Sequence, residues 1–282
     1  MTAICSTMAC PAADGLSQSP CRIDGKAVLV RGLREGSGVA ASRSRPGVLW
    51  AHNDSAMPDL VALDEQGRPT GRVRVSGAKV DDWEDIAAGP CPRGSCLYIG
   101  DIGDNRGIRP HVTIYRVPEP GAGATTTDAA EAFHAKYPDG PHDAESLFVT
   151  AASEIFIVSK GDPGPVAVYR FPKALTAGTV GLLERVGTPA ASGKTGSTDR
   201  PTAAAISHDG RWVAVRTSDY VSFFVANDFI AGRWKETFRA DLRALGEPQG
   251  EGMTFGRDGT IFLVGEGTAR GGTFAKLQCS LQ

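Results

Sequence analysis

Glu84-Asp85-Ile86-Ala87, Glu145-Ser146-Leu147-Phe148 and Glu251-Gly252-Met253-Thr254 are three short segments that begin with a carboxylate and run into small or apolar residues. Ser37-Gly38-Val39-Ala40 and Thr202-Ala203-Ala204-Ala205 fall into register with them, so the first column reads Ser37, Glu84, Glu145, Thr202, Glu251. Every member offers oxygen. If five such segments stand round one axis, three carboxylates meet within a few ångströms and raise one another's pKa unless a cation lies among them. Calcium accepts roughly six to eight oxygen ligands in adaptable geometry, whereas magnesium demands a tight octahedron. With no His or Cys in the column, zinc is disfavoured. The column predicts a calcium site; the alternative is three unrelated glutamates with Lys160 and Arg216 as counter-charges.

A second aligned set follows immediately after a recurring apolar strand: His52, Asp101, Ser159, Arg216 and Gly265, then Asn53, Ile102, Lys160, Thr217 and Glu266. With Asp54, Asp82, Asp104, Asp143, His142 and Arg200 these form a mixed-charge group suited to phosphate or sugar. Cations would anchor the ligand and a carboxylate or imidazole would act as base. The expected catalytic roles are Arg216 and Lys160 on phosphate oxygens and Asp101 or His52 as base. Salt bridging between neighbouring repeats explains the same residues equally well.

The elements that must position these residues come from an internal repeat, which takes precedence over any local reading. Each copy has a short inner strand, a turn, and a strongly apolar second strand: Val48-Leu49-Trp50-Ala51, Leu97-Tyr98-Ile99-Gly100, Ile155-Phe156-Ile157-Val158, Trp212-Val213-Ala214-Val215 and Ile261-Phe262-Leu263-Val264. Third strands are expected over Leu60 to Leu63, Val112 to Arg116, Val166 to Phe171, Val221 to Val225 and Thr273 to Leu277, and fourth strands over Gly71 to Val75, Glu184 to Gly187 and Glu236 to Leu242. Four strands per unit in five units is an all-β, five-bladed β-propeller. The last unit runs out of chain after three strands, while Lys26 to Val30 is a strand without a unit, so the N-terminal strand should close the final blade and remove exposed sheet edges. Gly121 to Ala132 and Ala190 to Asp199 read as surface loops.

Composition agrees: 35 Gly and 18 Pro among 282 residues suit many short strands joined by tight turns. The formal charge of -2, with both signs interspersed, offers no positive field for nucleic acid. No stretch approaches the roughly 20 apolar residues of a membrane helix. Six cysteines with Cys91 and Cys96 flanking a turn, and Cys21 and Cys279 near opposite ends, point to disulfides and an oxidising compartment; free thiols and zinc ligation are the alternatives. Cys5 and Cys10 lie in residues 1–20, read as an N-terminal tail and remnant of a secretion signal, ahead of one propeller domain over 21–282. Ser192-Gly193-Lys194-Thr195 lacks the glycine spacing and strand-to-helix context of a P-loop, Asp101 to Gly107 lacks the EF-hand ligands, and no Gly-x-Ser-x-Gly elbow occurs.

The column and its spacing resemble the soluble calcium-activated nucleotidases (apyrases), five-bladed propellers with axial calcium, with Thr202 standing where that family has a second serine. The wording of Asp82-Trp83-Glu84-Asp85-Ile86-Ala87, Gly100-Asp101-Ile102-Gly103-Asp104-Asn105, His142-Asp143-Ala144-Glu145 and Gln249-Gly250-Glu251 is closer to a group of uncharacterised secreted bacterial WD40-like propellers. The resemblance implies a calcium-binding extracellular protein acting on a small anionic ligand, with phosphoester or phosphoanhydride hydrolysis as its reaction. The rival expectation is a non-catalytic, calcium-stabilised scaffold that binds a protein or glycan.

Overall fold

The computed structural model describes residues 19–54, 57–161, 164–189 and 199–281. Residues 1–18, with Cys5 and Cys10, and Ser192 to Thr195 lie outside the described residues. Strands β1 (Cys21–Ile23) and β2 (Val28–Val30) come first in the chain but belong to the last sheet. The first blade is β3 (Gly36–Ala41), β4 (Val48–Asn53), β5 (Asp59–Asp64) and β6 (Pro69–Arg74), in sequential antiparallel order. The second is β7 (Trp83–Cys91), β8 (Gly94–Asp101), β9 (Val112–Pro118) and β10 (Glu131–Lys136). The third blade has β11 (Ala144–Val149), β12 (Ile155–Ser159) and β13 (Val168–Arg170). After β14 (Val180–Leu182), it ends with β15 (Glu184–Gly187). The fourth blade is β16 (Ala203–Ile206), β17 (Trp212–Arg216), β18 (Tyr220–Val225) and β19 (Glu236–Asp241), with the short helix α1 (Ala226–Ile230) between the last two.

The fifth blade, β20 (Gln249–Phe255), β21 (Thr260–Thr268) and β22 (Gly271–Cys279), is completed by β1 and β2, which both pair with β22. The closure is as the unpaired N-terminal strand predicts, except that two short strands share the role. Cys21 lies opposite Cys279 in that register and the two are disulfide-bonded, while Cys91–Cys96 ties the β7–β8 hairpin.

Two details depart from the expected loops. Glu131 and Ala132 begin β10 rather than ending a loop, because their strand pairs with Arg116 and Tyr115 of β9. The connection after β13 returns to the second blade, where β14 adds a parallel fifth strand against β10.

Five apolar clusters lie at the junctions of neighbouring blades, for example Phe148, Phe156 and Val158 of the third against Ala204, Val213 and Phe229 of the fourth. Second strands are buried on both faces, as all five residues of β12 are, which is why they read as continuous apolar runs rather than alternating ones. Inner strands carry small residues because they crowd at the axis. A Cβ on Gly38 would lie 2.5 Å from His52 Nε2 and 2.8 Å from the Ile86 nitrogen, and one on Gly252 would lie 2.7 Å from the Ser37 carbonyl oxygen.

Candidate cation centre at the propeller axis

A shared irregularity of the inner strands aims the column. In β3 the partners step from Gly36↔Asn53 to Gly38↔His52, leaving Ser37 as an extra residue. In β7 the step from Trp83↔Asp101 to Asp85↔Gly100 leaves Glu84, and in β11 the step from Ala144↔Ser159 to Ser146↔Val158 leaves Glu145. In β20, Glu251 and Gly252 together oppose the single residue between Gly265 and Leu263. In the fourth blade Ala203 pairs with Arg216 while the Thr202 N–H also donates to the Arg216 carbonyl, 2.9 Å away. Each column member thus sits in a bulge or at the equivalent irregular step. A bulge adds local twist and redirects a side chain.

Three carboxylates converge. Oxygen atoms of Glu84, Asp143 and Glu145, all buried, lie within 4.8 Å of one another. Two ligands held at roughly 2.3–2.6 Å from one calcium ion are at most about 5 Å apart, so this spacing fits a shared ion. Asp143 is held by the Asp104 N–H, which donates to its Oδ1 at 2.7 Å. The Glu251 Oε1 accepts from Gln249 Nε2 at 2.7 Å, and the Thr202 hydroxyl donates to the Glu251 carbonyl at 3.3 Å. Ser37 and Thr202 are both buried. The Lys160 ammonium bonds Glu145 and lies 3.5 Å from Asp143 Oδ2.

The electrostatics reflect crowding that one ammonium does not relieve. Burial, then Glu145, Asp82, Asp54 and Asp143, lifts the Glu84 carboxyl well above its ordinary range. Burial also raises Glu145, although Lys160 opposes the rise. Glu251 is pushed up to about 7 by burial and by Glu145, and half-buried Asp82 to about 6 by burial, Asp54 and Asp143. Burial disfavours the Lys160 ammonium, but Glu145, Asp143 and Glu84 outweigh it and hold the proton above the usual lysine value. Acids run from exposed Asp54 through Asp82 to buried Glu84. Gly103 permits that approach, since a Cβ there would lie 2.2 Å from Glu84 Oε1 and 2.5 Å from Asp82 Oδ2. The donor set is entirely oxygen, and its residual charge is negative. Both properties fit a hard divalent cation.

Of the four residues assigned catalytic roles from sequence, only Lys160 reaches this centre. Asp101 is 1% exposed; its carboxylate accepts the Asp81 and Asp82 N–H groups at 3.1 Å each and binds Arg109 Nη2 at 2.7 Å, so it holds the turn that carries Asp82 into Glu84. Arg216 has no exposure. Its Nη1 donates to the Gly252 and Val264 carbonyls at 2.7 Å each and its Nη2 bonds Glu247 at 2.5 Å, a clamp around the bulge that carries Glu251. His52 is fully enclosed, edge-on to Trp83 with ring centres 5.6 Å apart. These three side chains present no face to a ligand in this conformation.

Burial holds His52 at about 4, below the imidazole range. The unfolded chain therefore takes up this proton near pH 6.5 and the folded protein only near 4, so stability attached to His52 is lost as pH falls between those values. Replacing His52 with glutamine removes up to about 3 kcal/mol of that acid sensitivity. The check is a comparison of urea unfolding at pH 7 and pH 4 for both proteins.

The wider mixed-charge group separates. His142 sits apart on Asp139 at 3.1 Å, between Tyr137 and Tyr169. Asp104 orders its own turn by accepting the Ile108 and Arg109 N–H groups. Sequence reasoning put Asp143 at the mouth rather than among the ligands; its place two residues before Glu145, across the bulge, was the available signal. It also passed over Asp85, a fully enclosed carboxylate that accepts N–H bonds from Leu147 and Ala204 of two other blades and so fills the ring one residue along from Glu84.

No known family profile matches the chain, and no curated protein matches it in sequence. Among solved structures, the PQQ-bound form of an aldose sugar dehydrogenase from Streptomyces coelicolor is similar with a TM-score of 0.52, covering 92% of this chain and 98% of that one at 11% identity. A gluconolactonase from Xanthomonas campestris has a TM-score of 0.48 and 13% identity, covering 87% of this chain and 72% of that one. At 11% identity, the likeness to the dehydrogenase structure is one of fold.

Proposed function

We propose that the protein is an extracytoplasmic β-propeller that holds one calcium ion with Glu84, Asp143 and Glu145, completed by Glu251, Ser37 and Thr202. In this reading a small anionic ligand would be bound beside these residues. The observation that carries it is the convergence of three buried carboxylates within 4.8 Å at a register set by inner-strand bulges. Two disulfides support an oxidising location. Calcium bound there would supply an electrophile able to polarise a phosphoryl oxygen or a water. For phosphoester or phosphoanhydride hydrolysis, suggested by the likeness of the column to the nucleotidases, the base is better assigned to Asp82 than to Asp101 or His52. Asp82 is half-buried beside Glu84 with its pKa lifted to about 6, near the working range of a general base. Lys160, bonded to Glu145 and close to Asp143, is a cation placed to meet ligand oxygens.

The second reading, a scaffold for a protein or glycan, is favoured by one observation: Lys160 already neutralises part of the acid cluster, and Arg216 and Asp85 spend their polar groups tying blades together.

Calcium calorimetry on chelator-stripped protein tests the ion. One site per chain is expected, accompanied by a rise in melting temperature. Binding should be tighter at pH 8 than at pH 6, because Glu251, at about 7, and Glu84, lifted well above the ordinary carboxylate range by burial and its acidic neighbours, must give up protons first. Absence of heat and of stabilisation at both pH values removes the cation centre. With calcium present, phosphate release from nucleotides or phosphoesters then separates hydrolase from scaffold.

A further inference from the structure

We infer that a pocket between the third and fourth blades binds the flat, largely apolar body of a small organic anion whose charged end reaches Lys160. The cavity, of about 530 Å³, is walled by Val158 and Val166 on one side and Val215, Ser222, Phe224 and Trp234 on the other. A volume between roughly 300 and 1,000 Å³, with apolar walls and a few placed polar groups, is characteristic of small-molecule sites. Phe224 and Trp234 both pack on buried Phe229, which also lines the cavity, with ring centres 5.2 and 6.3 Å from it, so the three rings brace one another as an aromatic wall. Rigid aromatic surface of this kind accepts a planar ring at little ordering cost.

Charge gives the pocket a direction. Lys160 lines it and also bonds Glu145 at the axis, so its inner end borders the carboxylate cluster. Arg200 and Arg239 line the same cavity, with Asp199 and Glu236 as its acidic members. Lys160 is the cation that joins the pocket to the axis, and it meets a carboxylate, phosphate or sulfonate better than a neutral group. The orientation of the occupant, with its charged end toward the axis, rests on the cation-centre reading; the pocket itself does not.

Titration with 8-anilinonaphthalene-1-sulfonate, an aromatic anion built on a flat naphthalene ring, tests the assignment by fluorescence. One saturable site per chain is expected, with tryptophan emission quenched. Ser222→Trp, which fills the cavity from β18, should weaken that binding at least about tenfold while the melting temperature and the calcium heat stay unchanged; Val215→Phe is the smaller filling variant should the first not fold. Lys160→Met should weaken a sulfonate probe more than it weakens the uncharged N-phenyl-1-naphthylamine. Failure of the probe to saturate, or equal binding by the filled variants, overturns the pocket. Probe binding that survives Glu84→Gln while calcium heat disappears leaves the pocket standing as an independent site. A normal calcium heat with no probe binding removes the pocket and leaves the cation centre.

Discussion

Arg216→Met lowers the stability of the protein by about 3–5 kcal/mol, the cost of breaking a buried pair from one side. The guanidinium has no exposure and three acceptors: the carbonyls of Gly252 and Val264 and the carboxylate of Glu247. Removing it leaves the Glu247 carboxylate, whose side chain is 4% exposed, with the Thr273 hydroxyl but without its cation, and leaves two buried carbonyls without this donor. Urea or thermal unfolding measures the loss directly. The consequence for function is secondary: the bulge carrying Glu251 loses its clamp, so calcium affinity falls even in the fraction that remains folded. If Arg216→Met instead melts like the parent and loses only ligand binding, Arg216 contacts the ligand and the structural role assigned to it is wrong.

Glu84→Gln abolishes calcium binding, weakening it by more than about 100-fold, the upper figure for disturbing outer-shell partners of a metal. The same change stabilises the ion-free protein at pH 8. Burial, then Glu145, Asp82, Asp54 and Asp143, pushes the Glu84 pKa upward. A folded pKa above the unfolded value means a contribution that is present at low pH and lost as pH rises, so at pH 8 the ionised group opposes folding. Glutamine keeps the shape and drops the charge. Melting curves with and without calcium, at pH 5 and pH 8, should therefore cross: the parent is the more stable with calcium at pH 8, the variant without it. A variant that retains the parent's calcium response would place the ion elsewhere.

The column was legible because it repeats. Glu84, Glu145 and Glu251 recur at one position of a repeating unit, and of these the structure brings Glu84 and Glu145 together. Lys160 was legible as a counter-charge for the same reason. Arg216 and Asp101 occupy an equally regular column, yet their side chains are buried and bonded to other blades or loops. Position along a strand tells which end a residue occupies, whereas its partners come from other blades: Gly252, Val264 and Glu247 for Arg216, Arg109 for Asp101. His52 likewise looked like a base until Gly38, Trp83 and Asp85 were seen to enclose it.

Sequence alone determined the blade count, the closure of the fifth blade by the N-terminus and the Cys21–Cys279 and Cys91–Cys96 pairings as candidates. These follow from apolar runs and cysteine positions that each segment carries locally. Only the tertiary structure decided that Asp143 joins Glu84 and Glu145, that bulges aim them, that Arg216 and Asp101 are braces, and that a cavity lies beside Lys160. Those outcomes depend on one-residue register shifts and on contacts between distant segments. A single extra residue turns a side chain from one face of a strand toward another, and that shift leaves little mark in the sequence.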